Sequence, residues 1–94
     1  MAGPTLADFE GRVGESFDVE AEGAAAVPLR LEQATALPQS YREEGAFRLE
    51  WSGPADPLLP QGIYAFQSGG EKFEMFIVPI ARDSGGSRYE AIFI

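Results

Sequence analysis

Any chemistry in this 94-residue chain must come from carboxylates, because it contains no His and no Cys. Imidazole bases, thiolate nucleophiles, thiolate zinc sites and disulfide scaffolds are therefore excluded. Asp18 and Glu20 are two residues apart. On a strand that places them on one face about 6–7 Å apart, and Glu20 and Glu22 repeat the arrangement. Two carboxyls at such a separation suit acid–base hydrolysis, provided that their surroundings drive their pKa values apart. An alternating strand with a solvated acidic face gives the same spacing with no chemistry attached, and this explanation is favoured. A Ser–Lys nucleophile pair would need a setting such as G-x-S-x-G or S-x-x-K, and neither occurs. The chain is expected not to be an enzyme and to carry no cofactor.

Other constellations reduce to structure in the same way. Asp83-Ser84-Gly85-Gly86-Ser87 places oxygen ligands beside a Gly-rich turn, but a Ca²⁺ site wants several carboxylates and this segment has one Asp. Gly69-Gly70 is followed by Glu71, with none of the Lys and helix that complete a phosphate loop. Leu58 and Leu59 lie among three prolines, and Tyr64 follows them. Loop leucines held by prolines are either a lid over one barrel end or a partner contact. Leu58, Leu59 and Tyr64 are the candidate partner-binding residues.

The formal charge is -8, from fifteen acids and seven bases. Phosphate neutralisation needs clustered Lys and Arg, so nucleic acid and anionic membrane are not expected partners. The longest apolar stretch, Met75 to Ala81, is too short to span a bilayer. The N-terminal residues lack the charged and apolar regions of a signal peptide, so the expected localisation is cytoplasmic at synthesis.

The elements that must position these residues are mostly strands. Thr5 and Asp8 make a near capping box for a helix over 5–13, with Leu6, Phe9 and Val13 on one face and Gly14 as its stop. From Ser16 the period becomes two. Phe17/Val19, Val27/Leu29/Leu31 and Phe47/Leu49/Trp51 alternate with polar residues, predicting half-buried antiparallel strands, with Glu22-Gly23 turning the chain. Pro28 places its stretch at an edge or outside the pairing. Paired glycines then divide three apolar runs into a meander over 62–68, 72–80 and 88–94. Within it, Phe73, Met75 and Ile77 share one face, and Phe76, Val78 and Ile80 share the other. A strand apolar on both faces should be covered on both, by the barrel interior and by either the helix face or another molecule. Pro79 should end or bulge that strand. One domain over 1–94 is expected, mainly β: a small antiparallel six-stranded barrel or sandwich with a short N-terminal helix.

Val13-Gly14-Glu15-Ser16-Phe17, Gln61-Gly62-Ile63-Tyr64, Phe76-Ile77-Val78-Pro79-Ile80 and Tyr89-Glu90-Ala91-Ile92-Phe93 together resemble a family of small bacterial proteins known as a domain of unknown function. The resemblance spans almost the whole chain and supplies no catalytic residues. It implies an association with phage-tail-collar-like fibre proteins, and hence an accessory or assembly role in a fibre or tail-like structure that is secreted or displayed at a surface. The expected function is a non-enzymatic protein-interaction module whose partner is such a fibre protein or a second copy. The alternative is a barrel that binds a small ligand or carbohydrate, with Trp51, Tyr64 and the proline loop around an open mouth.

Overall fold

The computed structural model describes residues 4–20, 25–38 and 45–93. The predicted Glu22-Gly23 turn lies outside the described residues. A short helix, α1 (Ala7–Glu10), precedes six strands: β1 (Ser16–Glu20), β2 (Val27–Ala36), β3 (Phe47–Gly53), β4 (Gly62–Ser68), β5 (Glu71–Asp83) and β6 (Gly86–Phe93). The strands close into a barrel in the order β1-β2-β3-β6-β5-β4, all pairs antiparallel. Two three-stranded meanders, β1–β3 and β4–β6, thus face each other, sealed by β3 against β6 and by β1 against β4.

Dyad alternation builds this sheet. Phe17 and Val19, Val27, Leu29 and Leu31, and Phe47, Leu49 and Trp51 are buried, while their neighbours along each strand point outward. Trp51 sits at the centre, edge-on to Phe17 at 5.0 Å and tilted against Phe66 at 4.7 Å between ring centroids. Its indole N–H meets no acceptor among the described residues, so aromatic packing outweighs one unmade hydrogen bond. Gly69 and Gly70, both at positive φ, make the tight turn between β4 and β5.

Several expectations are corrected. The helix covers Ala7–Glu10 rather than 5–13, because the chain turns at Gly11. Asp8 Oδ2 still accepts the Thr5 N–H at 2.8 Å, which is half of a capping box, but Val13 leaves the helical face and is exposed. β2 continues to Ala36 through an irregularity between Leu31 and Gln33, which hides the strand's length from simple alternation. Pro79 bulges β5, one of the two outcomes expected of it, but the strand runs on to Asp83 rather than stopping at residue 80. Pro28 lies within β2, opposite Asp18 of β1, and the ladder to β3 begins only at Arg30, so no partner on that side needs its missing N–H.

The helix does not cover the outside of the second meander. It plugs one barrel end instead. Phe9 is fully buried, with its ring 5.0 Å from Phe73 and 6.1 Å from Phe47, and Phe47 stacks on Phe93 at 4.4 Å. Arg12 lies over the Phe73 ring at 5.6 Å and pairs with Glu71, tying the helix segment to β5. Replacing Phe9 with Ala should therefore destabilise the protein by about 3–5 kcal/mol, whereas Val13→Ala should cost under about 0.5 kcal/mol. Urea unfolding followed by tryptophan fluorescence measures both.

Candidate functional site

Topology decides what the proline-rich segment does. In the six-stranded ring, β3 and β4 are separated by two strands in either direction, so residues 54–61 must cross a barrel end to join them. Side chains fix this crossing. Tyr89 Oη accepts the buried Leu59 N–H at 2.9 Å, Ser87 Oγ donates to the Pro54 carbonyl at 2.8 Å, and Tyr64 Oη donates to the Pro60 carbonyl at 2.7 Å. Arg82 Nε donates to the Ala55 carbonyl at 2.7 Å. Leu59 is buried in the core and Leu58 packs against it, so both belong to a lid. Leu59 offers no exposed surface to a partner, whereas Leu58 stays partly exposed. The open mouth pictured around Trp51 and Tyr64 is closed for the same reason: Trp51 is fully buried and Leu59 fills the end of the barrel. Tyr64 is half-buried, and it shares with Ile63 an open external groove of about 680 Å³ along 59–65. Burial raises the Tyr64 phenol above its ordinary pKa.

Among the described residues, the carboxylates singled out by spacing do not converge. Asp18 and Glu20 are exposed on the outer face of β1, and Glu20 lies 3.6 Å from Lys72 Nζ. Asp83 Oδ1 accepts the Gly85 N–H at 2.8 Å within its own turn. Among the described residues, the densest charge arrangement lies outside on β3 and β6. Arg48 Nε donates to Glu90 at 2.5 Å and its Nη2 to Glu50 at 3.1 Å, while Arg88 also holds Glu50. Pairing places these groups in adjacent rows, with Glu50 opposite Glu90, Arg48 opposite Ile92 and Ser52 opposite Arg88. The hydrogen bond from Arg88, followed by that from Arg48, holds the Glu50 carboxyl below its ordinary value of 4.5. These four charges sum to zero and form a cross-strand lattice that braces the β3–β6 ladder.

Two surface features remain. The first is apolar. Ile63 (70% exposed) and Phe76 (50%) are cross-strand partners, with Ile92 (49%) on the same outer face of β6. One row further along, Glu20, Ala65 and Glu74 lie side by side. The second is a groove of about 510 Å³ across the outside of β1, β2, β3, β6 and β5, lined by Arg30, Arg82 and Arg88. Residue patterning alone found only half of the first feature, on β5, and missed the second entirely.

A family model for a domain of unknown function, DUF6916, matches residues 4–93. The chain belongs to this family. Comparison with curated proteins and comparison with solved structures each return no match. The DUF6916 description assigns no activity, so the functional reading rests on the geometry above.

Because the folded pKa of Glu50 is depressed, its contribution to stability is full above the ordinary glutamate value and is lost as pH falls through the folded value. Glu50→Gln should destabilise the barrel by about 1 kcal/mol or less at pH 7. The gap between variant and wild type should then narrow as the pH drops below 4.5. Urea titrations across pH 3–7 check this.

The two tyrosines should also separate. Tyr89→Phe strands the buried Leu59 N–H and should cost about 1–3 kcal/mol, while Tyr64→Phe frees an exposed carbonyl and should cost under about 1 kcal/mol. Paired denaturation curves give both values.

Proposed function

We propose that this DUF6916 domain is a non-enzymatic protein-interaction module that docks through the outer face of β4, β5 and β6. The observation that carries this is the uncovered row of Ile63 and Phe76 with Ile92 beside it, on a barrel whose interior is already filled by its own side chains. Large apolar groups grouped on a solvent-facing sheet lose free energy only when something covers them. A closed barrel has no open edge for an added strand, which leaves docking on a face. The adjoining Glu20 and Glu74 and the net charge of -8 favour a partner with basic groups around an apolar contact, and disfavour a second copy of this acidic chain. The specific form of the reading is an accessory or assembly role in a fibre or tail-like particle, as the sequence resemblance implies.

The test is affinity capture by the tagged protein, wild type against Phe76→Glu and Ile63→Glu, with both variants checked for a native near-ultraviolet spectrum. Proteins retained by wild type should fall at least about tenfold with either variant. A captured set that both folded variants retain would overturn docking on this face. If the protein lost on substitution is not a fibre or tail component, the interaction stands and the fibre assignment fails.

A further inference from the structure

The arginine-lined groove lies apart from the apolar row and has a different chemistry. Register places Ser16 opposite Arg30, Arg30 opposite Ser52, Ser52 opposite Arg88, and Arg88 opposite Ala81. Two guanidinium side chains therefore stand two strands apart, about 10 Å between their Cα atoms, with small residues between and beside them. Arg82, which pairs with Ser87 and so lies outside this row, is a third cation in the groove lining. A chain of net charge -8 thus gathers three of its seven bases in one groove, and Asp83 is the single carboxylate in the lining. Its Oδ1 is already engaged by Gly85.

Two of the three arginines hold no carboxylate by a hydrogen bond. Arg30 approaches Glu32 only to 3.8 Å and Arg82 approaches Asp56 only to 3.9 Å, both beyond hydrogen-bond distance, and about half or more of each side chain is exposed. Glu32 instead accepts from Ser52 Oγ at 2.5 Å. Arg88 is anchored to Glu50, and Arg82 is aimed by its bond to the Ala55 carbonyl. The wall they face is rigid, because Ser87 Oγ holds Pro54, and Gly86 approaches the Gly53 carbonyl too closely for any Cβ. Planar guanidinium forks on a fixed frame match the geometry of carboxylate and phosphate oxygens. The volume falls within the range of small-molecule sites, about 300–1,000 Å³.

We infer that this groove binds a small molecule carrying two or more oxyanion groups, carboxylate or phosphate, bridged between Arg30 and the Arg82–Arg88 side. The inference is independent of docking on the β4–β6 face. Citrate and pyrophosphate are the probes, titrated into the ¹⁵N-labelled protein at constant ionic strength, with sodium chloride as reference. Saturable shifts are expected at Gly53 and Gly85–Arg88 for at least one probe, and the tighter of the two identifies the oxyanion.

Arg30→Gln and Arg82→Gln should each weaken that binding about tenfold, while Lys72→Gln, which removes a cation elsewhere, should leave it unchanged. Amide spectra confirm that each variant is folded. Shifts that rise linearly without saturating, that sodium chloride reproduces, or that both folded arginine variants retain in full would overturn the site.

Discussion

The opposite placement of β3 and β4 in a closed six-stranded ring constrains everything else in this protein. Because those strands are consecutive in sequence and distant in the sheet, the chain between them has to traverse a barrel end. A segment that crosses a hydrophobic interior must satisfy its backbone and contribute apolar surface. The bond from the Leu59 N–H to Tyr89, with Leu59 itself seated in the core, does both. The same crossing leaves the other barrel end to be closed from the N-terminus, where Phe9 joins Phe47, Phe73 and Phe93. Among the described residues both ends are thus closed by the chain's own side chains, and the exposed apolar row and the arginine-lined groove lie on the outer face.

That outer face is organised in rows set by strand register. Arg30, Ser52 and Arg88 share one row, and Glu50 and Glu90 the next. Arg48 and Ile92 share a third, and Ile63 pairs with Phe76 on the next two strands, β4 and β5. Charges in adjacent rows compensate one another on β3 and β6, which favours the native register. Compensation is weaker at the two margins of this lattice. On one margin, side chains of Ile63, Phe76 and Ile92 stand in solvent; on the other, Arg30 and Arg82 make only long ion pairs without a hydrogen bond.

The strands were legible because a half-buried strand writes its two faces directly into alternate residues, as in Phe17-Asp18-Val19 and Phe47-Arg48-Leu49. Paired glycines marked the meander turns for an equally local reason. Where the structure departed from expectation, the cause was long-range. The Leu6/Phe9/Val13 spacing suggested a longer helix, but the chain turns at Gly11 and only the first two residues reach the core. Composition could mark Leu58 and Leu59 as a lid or a contact, and the ring topology makes them a lid. The groove could not be read at all: Arg30 and Arg88 are far apart in sequence and meet only through the registers of two intervening ladders.

Amide hydrogen exchange at Leu59 tests the filled, self-sealed barrel most directly. The loop carrying it is proline-rich and lies on no strand, so its amide would ordinarily exchange within the fast class of surface loops. Sealing predicts instead that the Leu59 amide is protected to the same free energy as the Leu49 and Trp51 amides of β3, opening only with global unfolding. Exchange at the rate of an exposed loop, while β3 stays protected, would contradict the account and show an end of the barrel open to solvent.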